Sequence, residues 1–214
     1  GDRRRHGVPT PQAGDQRCAQ PDRPRQEFHR ESDGKQRKRN PARPFTTSTL
    51  QQEAARKLGF GAQRTMRLAQ QLYEGVDFGE GAVGLITYMR TDSVNLANEA
   101  VQEIRQVIGQ MYGAESLPEA PRVYKTKSKN AQEAHEAIRP TSASITPERL
   151  DGKIDADQLK LYSLIWKRAV ASQMEPAVYD TVAVDLVPGT KAQREGAAAV
   201  LRANGSTLVK PGYI

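Results

Sequence analysis

The chain alternates between stretches with helical periodicity and stretches without any. The first apolar rhythm begins at residue 45 in "FTTSTLQQEAARKLGFG", where Leu50, Ala54 and Leu58 fall on one helical face. Ser48 or Thr49 is the expected N-cap, with Gln51 or Gln52 three residues on, and Gly59 closes the helix. A second helix is expected from about Ala62 to Glu74, with Met66, Ala69 and Tyr73 inward, followed by a glycine-rich loop over residues 75–84. Asp92 and Ser93 then precede a helix on which Ala97, Ala100, Val101, Ile104, Val107, Ile108 and Met111 keep the 3–4 spacing up to Gly113. Asn130 and Glu133 suggest a capping box for a short helix ending at Arg139, before Pro140. Thr146-Pro147 opens a further turn. Residues 155–173 predict a long helix with Leu161, Ile165 and Ala169 in register and Tyr162, Trp166 and Val170 beside them.

After Pro176 the period changes. "AVYDTVAVDLV" at 177–187 is β-branched and reads as a strand, with "PGT" at 188–190 as a turn. Ala197–Arg202 and Ser206–Lys210 read as two further strands joined by "ANGS". The expected fold class is therefore mainly α, with the beginning of a β-rich region at residues 175–214. No internal repeat is visible.

Residues 1–43 have almost no apolar periodicity, and charge sharpens the contrast. This segment holds 12 Lys+Arg and 6 Asp+Glu, a net of +6, whereas the other 171 residues hold 20 and 19, a net of +1. Such a segment cannot offset its ordering entropy by burial, so it is expected to be a disordered basic tail. It reads either as a phosphate-binding arm, or as a solvated linker or a stretch that is not native to the domain. The single cysteine, Cys18, leaves no intramolecular disulfide or cysteine-built zinc site within these residues. No run approaches a membrane span, and residues 1–43 lack a signal peptide's apolar segment. These features point to a cytoplasmic protein.

Candidate chemistry is concentrated in two stretches. There is no Walker-type loop, no GxSxG and no HExxH, and the only histidine after residue 43 is His135. In "GLITYMRTDS", residues 84–93, an extended backbone puts Ile86, Tyr88 and Arg90 on one face and Leu85, Thr87 and Met89 on the other. One reading is a packed tyrosine and a solvated arginine, with Asp92 or Ser93 as helix cap. The other is a nucleophile with a phosphate clamp. A tyrosine hydroxyl is a poor nucleophile unless its surroundings help, and a guanidinium two residues away offsets the charge that builds on an attacked phosphodiester. Asp92 is placed to orient that arginine. In "NAQEAHEAIRPT", residues 130–141, His135 and Arg139 are i,i+4 on the expected helix. They read as a polar helix face or as a pair that a phosphate bridges.

Taken in order, "PFTTSTLQQEAARKLGFGAQRTMRLAQQLYE", "GLITYMRTDSVNL" and "QEAHEAIRPT" closely resemble the type IA DNA topoisomerases, in particular the bacterial topoisomerase I branch, over roughly residues 35–214. Met89 is similar to that branch, since the topoisomerase III branch usually carries proline there. The resemblance implies that Tyr88 attacks one DNA strand and forms a transient 5′-phosphotyrosine link. It implies that Arg90 contacts the scissile phosphate, that Asp92 supports this arrangement, and that His135 and Arg139 contact DNA. It further implies a tyrosine-bearing helical domain at 44–174 and the start of a β-rich arch at 175–214, with no need for ATP. The resemblance also implies single-stranded or negatively supercoiled DNA as the partner, and a nucleoid-associated monomer. The family's Toprim domain supplies a catalytic glutamate, a lysine and an acidic triad that holds Mg2+. Those lie far upstream of the tyrosine, and residues 1–43 show no matching pattern, with 1–33 unlike the family. The expectation is thus a portion of such an enzyme that is inactive alone. The alternative is a non-enzymatic module that binds single-stranded DNA.

Overall fold

The computed structural model describes residues 28–79, 81–124, 136–188 and 200–214. The chain divides into two compact units. One comprises Asp33–Val182 with Asn204–Ile214, and the other Gly1–Ser32 with Ala183–Ala203.

The first unit is built on helices α1 (Thr47–Leu58), α2 (Ala62–Glu74), α3 (Asn98–Tyr112), the single turn α4 (Pro147–Leu150) and α5 (Ala156–Ser172). Helix α1 starts at a capping box, but the cap is Thr46 rather than Ser48 or Thr49. The Thr46 N–H donates to Thr49 Oγ1 at 2.9 Å, and the Thr49 N–H donates back to Thr46 Oγ1 at 3.4 Å. Gly59 ends the helix in the left-handed region at φ 68°, as a glycine after the last turn allows. Helix α5 is capped by Asp155, whose carboxylate accepts from the N–H groups of Asp157 and Gln158.

The core is one apolar cluster drawn from every longer helix of this unit. Leu50 and Ala54 of α1, Leu68, Ala69 and Leu72 of α2, Ile104 and Ile108 of α3, and Leu161, Ile165 and Ala169 of α5 are all buried. Phe45, Leu85, Ile86 and Met89 from the connecting segments fill the space between them. Each such side chain contributes roughly 1.5–3 kcal/mol on burial. Two polar atoms enter this core with partners. Trp166 Nε1 donates to the Ala143 carbonyl at 2.9 Å, and the Tyr162 hydroxyl donates to the Ile145 carbonyl at 2.5 Å. Both bonds tie the loop before α4 to α5. Burial, with Glu103 nearby, pushes the Tyr162 hydroxyl well above its ordinary pKa, so it remains a donor.

Several expectations are corrected. Tyr73 and Met111, expected inside, are exposed, because α2 and α3 turn Leu72 and Ile108 to the core instead. Helix α3 begins at Asn98 with Ala97 at the cap position, not at Asp92 or Ser93. Residues 136–140 are extended rather than helical; the proposed capping box at 130–133 lies outside the described residues. The glycine-rich loop contains a small antiparallel ladder, β2 (Val76–Asp77) with β3 (Ala82–Val83).

A three-stranded sheet has the order β1-β4-β5, with β1 at Phe28–Arg39, β4 at Ala177–Pro188 and β5 at Leu201–Lys210. Strand β1 lies inside the segment expected to be disordered. Its residues 32–39 are exposed, so burial does not hold them. Pairing with β4 does, reinforced by a bond from Thr181 Oγ1 to the Lys35 carbonyl at 2.8 Å. Strand β5 runs unbroken through "ANGS", where a hairpin turn was expected. In both places a neighbouring strand overrides local propensity. Helices and strands together make the described chain mixed α and β rather than mainly α.

The Trp166 bond gives a direct test. Trp166→Phe keeps most of the buried volume but strands the Ala143 carbonyl, and it is expected to cost about 1–3 kcal/mol. Urea denaturation followed by circular dichroism measures this, since the variant loses the chain's single tryptophan as a fluorescent probe.

Candidate active site

Tyr88 lies on a segment, residues 84–97, that forms no named strand or helix. Such a segment needs its backbone groups satisfied from outside. Two neighbours do this. On one side runs the extended stretch 137–141. Ile86 and Pro140 form an isolated antiparallel bridge. The Thr87 N–H donates to the Arg139 carbonyl at 2.9 Å, and the Thr141 N–H donates to the Leu85 carbonyl at 3.0 Å. The Thr87 hydroxyl donates to the Ala137 carbonyl at 2.8 Å and accepts from the Arg139 N–H at 3.0 Å. On the other side stands the first residue of α1. The Thr47 hydroxyl donates to the Met89 carbonyl at 2.7 Å and accepts from the Thr91 N–H at 2.9 Å, while the Thr47 N–H donates to the Thr91 carbonyl at 2.9 Å.

Between these supports the backbone alternates as an extended chain does. Met89 is fully buried, whereas Tyr88 and Arg90 face solvent. This gives Tyr88 and Arg90 the shared outward face read from the sequence. Ile86 departs from that face, since its bridge to Pro140 places it in the core. Tyr88 is 43% exposed and rests edge-on against Tyr73 of α2, with ring centroids 5.4 Å apart and planes at 65°. Such a pair contributes roughly 0.5–1.5 kcal/mol and limits where the Tyr88 hydroxyl swings. Gly84 permits the close passage of the segment over α2: a Cβ there would lie 2.7 Å from the Tyr73 carbonyl oxygen.

The remaining candidates separate. Arg90 is exposed and has no hydrogen bond or ion pair among the described residues. Asp92 is also exposed, and no bond links it to Arg90. Arg139 is tied down. Its guanidinium donates to the Glu136 carboxylate at 2.8 Å and to the Pro140 carbonyl at 2.9 Å, with its side chain 14% exposed. Glu136 in turn accepts from the Ala97 N–H at 2.6 Å, at the start of α3. Arg139 thus braces the 136–141 stretch against α3. His135 lies outside the described residues, so the expected His135–Arg139 pairing has no described geometry.

Three contributors escaped the sequence reading. Tyr73 sat on the face assigned to the core. Thr47 belonged to a hydroxyl-rich helix start, which pointed to a cap rather than to a partner more than forty residues on. Glu136 adjoins His135 in the sequence, with nothing there to point to α3. In each case the partner arrives through tertiary structure. Among the described residues, no three His, Cys, Asp or Glu side chains converge to hold a metal ion.

Thr87→Val tests the support. It removes the hydroxyl that joins Ala137 and Arg139 and is expected to cost about 1–3 kcal/mol. Amide hydrogen exchange at Arg139, whose N–H loses its acceptor, is expected to accelerate more than exchange within α5.

Comparisons with known proteins place the chain in a family. A family model described as DNA topoisomerase matches residues 22–214. DNA topoisomerase 1 of Xylella fastidiosa strain 9a5c is 57% identical over 181 residues, covering 84% of this chain and 21% of that protein. DNA topoisomerase 1 of Rickettsia felis is 53% identical over 189 residues, covering 88% of this chain and 24% of that protein. The solved structure of full-length topoisomerase I from Thermotoga maritima matches with a TM-score of 0.73 at 40% identity, covering 88% of this chain and 29% of that one. The chain therefore spans about a fifth to a quarter of the length of the relatives it matches. With a supported, outward-facing tyrosine–arginine pair and matches over most of its length, the chain belongs to the type IA DNA topoisomerase family, in the bacterial topoisomerase I branch.

Proposed function

We propose that this chain supplies the nucleophile and the phosphate clamp of a single-strand DNA breaking and rejoining reaction. The observation that carries the reading is the pair Tyr88 and Arg90, both solvent-facing on a segment pinned on two sides, with no hydrogen bond or ion pair to Arg90 among the described residues.

The Tyr88 oxygen attacks the phosphorus as its proton leaves, forming a tyrosine O–P bond. The P–O3′ bond breaks, and the departing 3′-oxygen takes up a proton. The phosphate stays on the 5′ end of the cut strand, joined to Tyr88, and the reverse attack by the 3′-hydroxyl reseals it. The phosphotyrosine conserves the bond energy, so the cycle runs without ATP. Arg90 offsets the negative charge on the non-bridging oxygens, a term on the order of 3–4 kcal/mol where one donor has been removed from such sites. Asp92 is assigned the support of this arrangement, and His135 and Arg139 are assigned contacts to DNA.

In this reading residues 44–174 form the tyrosine-bearing domain and residues 175–214 begin an arch. The substrate is single-stranded or negatively supercoiled DNA, handled by a nucleoid-associated monomer. Magnesium belongs to the reading only through the family. The described residues offer no fitting donor set, so no step here passes through the ion. The leaving 3′-oxygen needs a general acid, and no carboxylate bonds the Tyr88 hydroxyl among the described residues.

Grafting residues 44–174 in place of the matching segment of the Xylella fastidiosa relative tests the reading. The graft is expected to relax negatively supercoiled plasmid. Tyr88→Phe is expected to abolish this and the denaturation-stable protein–DNA adduct, and Arg90→Ala to slow relaxation by roughly 10²–10³-fold. An inactive, well-folded graft, or relaxation that survives Tyr88→Phe, overturns the assignment.

The 214-residue chain alone is expected to leave the same plasmid supercoiled in magnesium buffer, since no acid meets the Tyr88 hydroxyl among the described residues. Relaxation that depends on Tyr88 would refute this.

A further inference from the structure

Well along α1 from the tyrosine lies a second feature that the strand-breaking chemistry does not use. A cleft of about 860 Å³ opens between the C-terminal half of α1 and the outer face of α5, lined by Arg39, Lys57, Lys160, Lys167 and Arg168, with Glu53 its only carboxylate among the described residues. Tyr213 and the apolar side chains Leu58 and Leu164 form part of its wall.

Charge is sharply uneven here. Residues 44–214 are almost neutral by count, yet four of their cations join Arg39 in this cleft against one acid among the described residues. Glu53 is already shared among three of the surrounding bases. It meets Arg56 at 2.7 Å, Lys57 at 3.1 Å and Arg168 at 3.3 Å. Burial pushes the Glu53 carboxyl up, but Lys57, Arg168 and Arg56 outweigh it and hold the group below its ordinary value. One carboxylate cannot neutralise three cations. Lys160 reaches Asp157 at 3.5 Å, whereas Arg39 and Lys167 have no ion pair among the described residues.

The floor is fixed. Arg168 stacks over the Phe45 ring at 4.3 Å, donates to the Arg43 carbonyl at 3.3 Å, and is only 18% exposed. Burial draws its pKa down, with Glu53 acting against this, and it remains charged. A rigid central guanidinium ringed by flexible, exposed cations suits a repeating anion better than a single small one.

We infer that this cleft is a second nucleic-acid contact, binding the phosphodiester backbone of a strand through Arg39, Lys57 and Lys167 around a floor of Arg168. The cleft reads phosphates and not bases, so it binds without sequence preference. It rests on the reading of the chain as a DNA-handling protein. It adds a hold on the strand away from the scissile phosphate. Helix α1 links the two places, because Thr47 at its start supports the tyrosine segment and Lys57 near its end lines the cleft.

The test is the salt dependence of binding by the 214-residue chain to a fluorescein-labelled single-stranded oligonucleotide and to its duplex. The triple variant Arg39→Ala/Lys57→Ala/Lys167→Ala is expected to lower the slope of log K against log salt by about two units for the single strand, at about 0.7 per phosphate contact. A loss of closer to three units seen only with duplex keeps the same phosphate site and assigns it to double-stranded DNA. The charge-conserving variant Arg39→Lys/Lys57→Arg/Lys167→Arg is expected to keep the slope, which separates charge from damage to the fold. An unchanged slope in the alanine variant overturns the cleft, and so does a wild-type chain that binds neither DNA. The catalytic reading is decided separately, by relaxation in the graft carrying Tyr88→Phe or Arg90→Ala.

Discussion

Two threonine hydroxyls hold the segment on which everything else depends. Residues 84–97 have no ladder and no helix of their own, yet they cross the core with Leu85, Ile86 and Met89 fully buried or nearly so. Buried backbone without partners is costly, and here the partners are Thr47 at the start of α1 and Thr87 facing residues 137–141. Each hydroxyl both donates and accepts, so each satisfies one carbonyl and one N–H. The outward position of Tyr88 and Arg90 follows. With Met89 anchored inward and its carbonyl held by Thr47, the residues on either side have only the solvent face left.

The same frame explains why three distant stretches matter together. The start of α1, the tyrosine segment and the 136–141 stretch form one hydrogen-bonded layer. Phe45 bridges Ile138, Ile86 bridges Pro140, and Thr47 reaches Met89 and Thr91. Glu136 extends the layer to α3 through the Ala97 N–H. A change in any one of the three stretches is therefore felt at Tyr88, although only one of them contains it.

Much of this was legible in the sequence where a helix carries its own periodicity. The limits of α2, the core faces of α1 and α5, and Gly59 as the stop of α1 all follow from local spacing. Tyr88 and Arg90 were legible as a pair because extended backbone alternates regardless of what flanks it. What escaped was whatever another part of the chain decides. Strand β1 has a disordered composition but a partner in β4. Residues 136–139 have helix-favouring side chains but lie against Phe45 and Thr87 in extended form. Arg139 was legible by its spacing from His135, but its bonds to Glu136 and Pro140 were not.

That last case points to a general sorting of arginines in this chain. A guanidinium occupied by carbonyls and carboxylates is a structural cross-link, and its bonds must break before it can clamp a phosphate. Arg105 donates to the Pro118 carbonyl, Arg122 to the Met174 carbonyl, and Arg139 to Pro140 and Glu136. Arg168 is held by Phe45, Glu53 and the Arg43 carbonyl. These residues hold loops to helices in places where a lysine, with its single point charge, could not bond in a plane. Arg90 and Arg39 are the contrast, exposed and without ion pairs among the described residues. Among the described residues, an incoming phosphate breaks no internal bond of theirs, so its binding is not offset by such a loss. By that criterion the surface available to DNA is set less by how many arginines the sequence contains than by which of them the fold has left unengaged.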